Sequence, residues 1–242
     1  MLEVCLVVDV ENFISFKQGN PRWNSWEKIK GKINNLIKNF RYNKKGFYLA
    51  YNTIVNERFP TTFMLVGSLF KPLVKHKFIE WGYHTLNHIP LTLANNEILK
   101  KETENIYKVK SFSPPLWMVE DISNPDRVFK ILEKKKYKYI IYRGIDKGIE
   151  HEHHFAIEKP IKRGKLKLIH VSNWVEGNSK LEHVKRVLRE IEENANKEAV
   201  YCITSHDFSH KNNKNLIFLI NELRKLEKEK KIKVIKISEI RS

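Results

Sequence analysis

Short apolar runs alternate with amphipathic segments along most of the chain. Runs such as 61–66, 137–142 and 199–204 are rich in Val, Ile, Leu, Phe and Tyr, which is typical of buried parallel strands. Between the runs, apolar residues recur every three or four positions, as in 47–58 and 179–195, and this spacing predicts helices. The alternation predicts an α/β protein whose parallel sheet is closed or nearly closed into a barrel with helices outside it.

The individual elements follow from the same patterns and from proline and glycine positions. Strands are predicted at 3–9, 61–66, 78–83, 137–142, 166–171, 199–204 and 233–237. Helices are predicted at 26–40, 47–58, 93–109, 125–135, 179–195 and 213–230. The paired prolines in 112–117 force an extended course, and 143–163 is expected to be irregular.

Composition is consistent with one globular domain, residues 1–242, although the length of 242 residues also suits two small domains. No low-complexity linker divides the chain, so one domain is preferred. The start of the chain predicts a first strand rather than a signal peptide, and no apolar run approaches the ~20 residues that span a bilayer. We therefore expect a cytoplasmic protein in which Cys5 and Cys202 are buried free thiols.

The net charge of +17 admits nucleic acid, anionic lipid or an acidic substrate as a partner. However, the lysines are mixed with glutamates along helical faces such as 223–230, as expected of a solvated surface. No nucleic-acid-binding motif accompanies the charge, so nucleic acid is not the expected partner.

Candidate chemistry lies at the ends of three predicted strands. Asp9 and Glu11 follow the first strand, His84 and His88 follow the third, and His206 follows a late one. The carboxyl ends of parallel barrel strands open on one face, so these groups are expected to meet. Two imidazoles and one carboxylate form the ligand set of a catalytic zinc, and two histidines four apart on a helical turn reach one point.

This combination predicts metal-assisted hydrolysis of an amide or ester. One carboxylate would bind the metal, the other would take a proton from water, and His206 would protonate the leaving amine. A second histidine cluster at 151–154 lies in a charged segment without an apolar frame, and an exposed loop is the preferred interpretation there.

In these residues the chain resembles the polysaccharide deacetylases, metal-dependent esterases that remove acetyl groups from sugars. The similarity covers nearly the whole chain in the correct order. Its motifs are Leu6-Val-Val-Asp-Val-Glu11, Thr61-Thr-Phe-Met-Leu-Val-Gly67, His84-Thr-Leu-Asn-His88, Phe112-Ser-Pro-Pro-Leu116 and Ile203-Thr-Ser-His206.

The resemblance implies a distorted barrel of seven or eight parallel strands and a role for each site residue. Asp9 would be the catalytic base and His206 the general acid, while Glu11, His84 and His88 would bind a divalent metal, expected to be zinc. The backbone N–H of Leu116 would help to hold the oxyanion, and Trp117 and Trp174 would lie beside the cleft that receives a small-molecule or oligosaccharide substrate.

Three positions depart from the family pattern. Glu11 replaces the usual second aspartate, and Ser113 replaces the arginine that precedes the prolines. Asn173 stands before Trp174 where an aspartate usually orients the acid histidine, and an amide cannot stabilise an imidazolium by charge. These changes predict an altered substrate or weakened catalysis.

The sequence therefore predicts a metal-dependent deacetylase that acts on the C–N bond of an N-acetylated sugar or sugar-containing precursor. Two alternatives stay open. The same fold and metal site could hydrolyse another C–N bond, in a cyclic amide or ureide, or the chain could be a catalytically weakened basic binding protein.

Overall fold

The strands of this computed structural model, which describes residues 1–11, 44–119, 124, 126–143 and 155–241, form one sheet. They are β1 (Leu2–Val10), β2 (Thr61–Leu65), β3 (Ile79–Tyr83), β4 (Ser111–Phe112), β5 (Tyr139–Tyr142), β6 (Ile161–Arg163), β7 (Leu166–Trp174), β8 (Val200–His206) and β9 (Ile232–Val234).

Seven of these strands close into a barrel of parallel strands. The ring runs β1, β2, β3, β4, β5, β7 and β8, and β8 pairs again with β1. β9 joins the amino end of β1 in parallel, and β6 pairs antiparallel with β7. The prediction of a distorted (β/α) barrel with seven or eight parallel strands is confirmed.

The first strand shows how an apolar run becomes a barrel strand. Successive side chains point to opposite faces, so the run is buried on both sides. Val4, Leu6 and Val8 belong to the cluster that also contains helical residues, whereas Cys5 and Val7 belong to the cluster of the barrel interior. Asp9 continues the inner row, so β1 itself directs this carboxylate into the mouth of the barrel.

The helices that the structure describes cover the outer face of the barrel with their apolar sides. Val184, Val187 and Ile191, for example, recur at helical spacing and pack in the outer cluster. The helices are α1 (Lys45–Glu57), α2 (Asn96–Glu102), α3 (Asp126–Lys134), α4 (Leu181–Glu193) and α5 (Lys214–Lys228). None of them has the length and hydropathy of a bilayer-spanning segment.

The segment after β9 closes the amino end of the barrel. Ile235, Ile237 and Ile240 are buried in the inner cluster. The Glu80 carboxylate accepts hydrogen bonds from the hydroxyls of Thr62 and Ser111 and, at 2.8 Å, from the backbone N–H of Ser238. This end of the barrel is therefore filled, and the carboxyl end remains for the site.

The prediction of one long helix over 93–109 is wrong. The structure has a single 3₁₀ turn at Leu91–Leu93 and then the two-turn helix α2. The Asn95 side chain caps α2 by accepting from Ile98 N–H at 2.9 Å. The Asn105 side chain bonds both backbone groups of Val109, and these bonds replace the helical ones.

Other predicted boundaries need smaller corrections. The irregular segment ends in β6, and the last strand stops at Val234 and is followed by the 3₁₀ turn Ile237–Glu239. β7 extends through Trp174, β1 extends one residue past Asp9 to Val10, and His206 is the last residue of β8 rather than a residue after it. The predicted helix 26–40 and the histidine cluster 151–154 lie outside the described residues.

Both cysteines are buried free thiols, as expected. They face each other in register across β1 and β8, in the pair Cys5 and Cys202.

Candidate metal centre

Strand pairing brings the acidic and basic halves of the site together. Asp9 on β1 is in register with His206 on β8, at the carboxyl ends of neighbouring strands. Glu11 follows two residues later on the same side of the chain, and its backbone N–H donates to Asp207 Oδ1 at 3.1 Å. Asp9 and Glu11 are both buried, so their charges face the barrel mouth rather than solvent.

The two histidines lie on the loop after β3, and this loop is not a helical turn. Thr85 and His88 have positive φ angles of 62° and 60°, so the predicted helical geometry of the pair is wrong. The loop folds back on itself, and His88 N–H donates to the Thr85 hydroxyl at 2.9 Å. The imidazole rings still converge, with centroids 4.9 Å apart.

Three side-chain atoms meet at one point in the mouth. Glu11 Oε2 lies 2.9 Å from His84 Nε2 and 2.7 Å from His88 Nε2. The potential ligand atoms of Glu11, His84 and His88 all lie within 4.8 Å of one another, and all three residues are buried. The structure therefore brings together the three residues that the resemblance implies as metal ligands.

The hydrogen bonding of these residues fits a cation between them. Ser113 carbonyl oxygen lies 2.7 Å from His84 Nδ1 and can only accept, so Nδ1 carries the proton and Nε2 presents its lone pair towards Glu11. Both ring nitrogens of His88 are buried without a hydrogen bond to any described residue, although Nε2 is close to the Glu11 carboxylate. Two neutral imidazoles and one carboxylate are the donor set of a catalytic divalent metal.

The charges in the mouth shift the pKa values of the ligands. Burial alone would raise the pKa of Glu11, but attraction to His88 and His206 and the close approach of the His84 and His88 rings hold it well below its usual range. Burial alone would lower the pKa of His84, but Asp9 and Glu11 raise it. The carboxylate is therefore ionised near neutral pH, as a metal ligand must be.

Asp9 lies on one side of the ligand group. Trp117 Nε1 donates to Asp9 Oδ2 at 3.0 Å, and the Ser113 hydroxyl makes a longer contact of 3.4 Å to the same oxygen. The other oxygen, Oδ1, is buried without a hydrogen bond to the described residues and lies 3.8 Å from His84 Nδ1. An indole thus contacts this carboxylate where the family pattern suggests an arginine.

His206 lies on the other side and has a charged partner that sequence reasoning missed. Its Nδ1 is 2.6 Å from Glu176 Oε1, and its backbone N–H donates to Glu176 Oε2 at 3.1 Å. Burial would lower the pKa of His206, but Glu11 and Glu176 raise it to about 10. Its Nε2 points into the site, 4.0 Å from Glu11 Oε1.

The expectation that the acid histidine lacks charged support is therefore wrong. Asn173 turns away from His206, because a β-bulge shifts the pairing of β7 with β8 between Val171 and Asn173. Its amide donates to Glu190 at 3.0 Å. The sequence does contain the partner of His206. Glu176 lies two residues after Trp174, on the same side of an extended chain, whereas the prediction considered only Asn173, the residue before Trp174.

The predicted site residues line one cavity of about 270 Å³ at the carboxyl end of the barrel. Leu116 and Trp117 enter it on a turn in which both have positive φ angles, 59° and 54°. Trp174 is 37% exposed at the rim, with its ring centroid 5.0 Å from that of Phe155. Phe155 and Glu176 are the lining residues that sequence reasoning missed, and no pattern pointed to Phe155. The lining consists of Asp9, Glu11, His84, His88, Leu116, Trp117, Phe155, Trp174, Glu176 and His206.

Comparison with known proteins supports the fold. No protein-family model matches the chain, and no curated protein matches its sequence. Among solved structures, a protein from Mycobacterium smegmatis assigned as a polysaccharide deacetylase aligns with a TM-score of 0.64 and 14% identity, over 99% of this chain and 88% of that one.

Two other enzymes share the architecture. The Puue allantoinase aligns with a TM-score of 0.58 and 11% identity, over 99% of this chain and 88% of that one. The 4-alpha-glucanotransferase of Thermococcus litoralis aligns with a TM-score of 0.50 and 15% identity, over 99% of this chain but only 38% of that one. The chain thus has the fold of the polysaccharide deacetylases at low sequence identity. This fold supports different activities, so the chemistry of the site depends on the residues of this chain.

Proposed function

We propose that this chain is a metal-dependent hydrolase that removes the acetyl group from an N-acetylated sugar or sugar-containing precursor. One observation carries the proposal. Asp9, a buried carboxylate whose Oδ1 has no hydrogen bond to the described residues, and His206, an imidazole paired with a carboxylate, lie on two sides of the buried Glu11, His84 and His88 group. This arrangement supplies a base, an acid and a cation site in one cavity.

Glu11, His84 and His88 would hold the cation. A divalent metal such as zinc supplies Lewis acidity, which acidifies water and polarises the acyl oxygen. The Ser113 carbonyl keeps His84 in the tautomer that turns Nε2 towards the cation. Glu11 brings one negative charge to two neutral imidazoles.

Asp9 is the proposed base. The Trp117 indole occupies one of its oxygens and leaves Oδ1 to accept a proton from the attacking water. A positioned base of this kind contributes roughly 10²–10⁴-fold to the rate.

His206 is the proposed acid. Glu176 receives its Nδ1–H, so the ring presents Nε2–H to the leaving amine. The pKa of about 10 keeps His206 protonated at neutral pH in the free chain. Glu176 is a positioning residue here, since it orients the ring and stabilises its charge without facing the reacting bond.

The rest of the cavity suits an acetylated sugar. Leu116 lies where its N–H can help to hold the developing oxyanion, and the apolar walls formed by Trp117 and Phe155 suit an acetyl methyl group. Trp174 offers a partly exposed ring at the rim, on which a pyranose face can stack.

A second candidate function is hydrolysis of a cyclic amide or ureide at the same metal. It is motivated by Ser113, which makes only a 3.4 Å contact to Asp9 where a base-positioning arginine is expected. Acetate release from N-acetylated sugars, measured beside ring opening of cyclic amides, separates the two. Activity on the sugars alone removes the second candidate, and activity on cyclic amides alone overturns the first.

The metal claim is tested on demetallated protein reloaded with zinc. We expect one zinc per wild-type chain, none in His84→Ala/His88→Ala, and acetate release only from the reloaded wild type. His76→Ala is the matched control, because it removes an imidazole that packs on Tyr51 and does not line the cavity. Equal zinc content in the wild type and the double variant contradicts the proposal.

A further inference from the structure

The loop that carries the two histidines, residues 84–89, has a left-handed backbone conformation at two residues, and this conformation is strained in residues other than glycine. Thr85 and His88 both have positive φ angles, and neither is glycine. For a β-branched residue such as Thr85 this conformation is unusual and strained. Surrounding contacts must therefore hold the loop in the shape that points His84 and His88 at one cation.

Glu102, the last residue of α2, makes most of these contacts. Its carboxylate is buried, with 1% of the residue exposed. It accepts from Asn87 backbone N–H and Asn87 Nδ2, both at 2.8 Å, and from Ile89 N–H at 3.4 Å. Its backbone carbonyl accepts from Leu86 N–H at 3.0 Å. One residue thus bonds the loop on both sides of His88.

The two histidines depend on this support to different degrees. The His84 ring is fixed from behind by the Ser113 carbonyl. The His88 ring lies 2.7 Å from Glu11 Oε2 and packs on His84, but it forms no hydrogen bond with the described residues, so its support from behind comes from its own backbone. That backbone lies between Asn87 and Ile89, which are the two residues that Glu102 holds.

We propose that Glu102 is a positioning residue for the metal, and that it fixes the His88 ligand by bonding the loop backbone on both sides of it. The inference rests on the proposed metal site. Groups that hold a ligand from outside the coordination sphere change metal affinity by roughly 10–100-fold when they are removed. Glu102 does not touch the cavity, so its effect should appear in binding of the metal itself.

The test is the dissociation constant for zinc, measured by competition with a chromophoric chelator. Glu102→Gln keeps the volume of the side chain but cannot accept on both oxygens, and we expect about 10-fold weaker zinc binding. Glu104→Gln is the matched control, because this neighbouring carboxylate is exposed and pairs with Lys135 on the surface. We expect its zinc affinity to equal that of the wild type.

Asn87→Ala is the second variant, and it serves if Glu102→Gln fails to fold. It removes one bond to Glu102 from an exposed side chain and leaves the backbone N–H in place. We expect about threefold weaker binding. If Glu102→Gln folds and binds zinc with wild-type affinity, the role of Glu102 is wrong and the proposed function is not affected. If Glu102→Gln does not fold, wild-type affinity in Asn87→Ala leads to the same conclusion. A wild-type chain that binds no zinc overturns the proposed function as well.

Discussion

Carboxylates occupy both ends of the barrel, and their surroundings differ. At the amino end, Glu80 accepts from two hydroxyls and one backbone N–H, all uncharged donors. At the carboxyl end, Glu11 faces two imidazoles, and Asp9 keeps one buried oxygen without a hydrogen bond to the described residues. The Glu80 carboxylate therefore has its hydrogen bonds within the fold. The Asp9 and Glu11 carboxylates can still take up a proton or a cation.

The difference suits the amino end of the barrel to stabilising the fold and the carboxyl end to the proposed chemistry. A carboxylate with all its bonds made stabilises the fold and cannot accept a proton without losing them. A carboxylate that lies between imidazoles, or that keeps an oxygen without a hydrogen bond to the described residues, can take up a cation or a proton without losing such bonds. Substitutions at the amino end should therefore change the unfolding free energy, and substitutions at the carboxyl end should change kcat.

The largest expected effect is on turnover at the carboxyl end. Asp9→Asn preserves the Trp117 bond but removes the proposed base, so kcat should fall about 10³-fold, equivalent to about 4 kcal/mol. The zinc content and the unfolding free energy should not fall. The surface substitution Asp126→Asn, in a residue that pairs with Arg163, should leave kcat unchanged. Equal loss in both variants would contradict the role of Asp9.

The next effect is on stability at the amino end. Glu80→Ala leaves the hydroxyls of Thr62 and Ser111 and the Ser238 N–H without their acceptor, and we expect the unfolding free energy to fall by about 3 kcal/mol. Chemical denaturation measures this change, and kcat of the folded fraction should be unaltered. Glu198→Ala, which removes an exposed carboxylate, should change stability by less than about 1 kcal/mol.

A smaller effect concerns Glu176, the charged partner of His206. Glu176→Gln should lower kcat about 10-fold and move the loss of activity at high pH to lower pH, because the amide no longer raises the pKa of His206. A pH–rate profile measures both changes. A variant with lower kcat and an unmoved alkaline limb would indicate a merely structural role.

The same pair gives a pH dependence of stability in the metal-free chain. The folded-state pKa of His206, about 10, lies above the ordinary value near 6.5. The stabilisation is therefore fully present below about pH 6.5 and is lost as the pH rises through 10. Denaturation at pH 7 and pH 10.5 should show a larger loss in the wild type than in Glu176→Gln. Parallel losses would contradict the pairing.

The smallest expected effect is at the rim. Trp174→Ala should raise KM by about 5-fold, equivalent to about 1 kcal/mol, and leave kcat and zinc content nearly unchanged, since stacking holds the substrate without touching the reacting bond. Trp81→Ala, which removes a ring packed on Tyr51, is the control for loss of an indole away from the cavity. An unchanged KM in Trp174→Ala would remove the stacking role.

Much of this architecture could be predicted because it depends on patterns of period two and period 3.6. The apolar run of β1 predicts burial on both faces, and Asp9 at the end of that run predicts chemistry at the carboxyl end of the strand. Parallel pairing then predicts that strand ends meet, which is how Glu11 and His206 come near the two histidines. The bounds of α1, α3, α4 and α5 follow from the spacing of apolar residues within two positions.

The features that the sequence did not predict depend on local hydrogen bonds and on the register between strands. The spacing of apolar residues does not specify either of them. Asn105 ends a helical pattern by bonding the backbone of Val109. A bulge in β7 turns Asn173 outward and leaves His206 to Glu176. The loop with positive φ angles at Thr85 and His88 is hydrogen-bonded to Glu102, which is 14 or more residues further along the chain than either of them. Such features require the tertiary structure.

Closure of the barrel between β1 and β8 has a consequence for synthesis on the ribosome. The hydrogen bond from Glu11 to Asp207 joins positions 196 residues apart. A nascent chain that has emerged through the loop after β3 already contains all three proposed metal ligands, but it lacks the strand that carries His206. Contacts at such long sequence separation form slowly. The proposed acid therefore joins the proposed cation ligands only when β8 closes the ring, so an incomplete chain carries the ligands before it carries the acid.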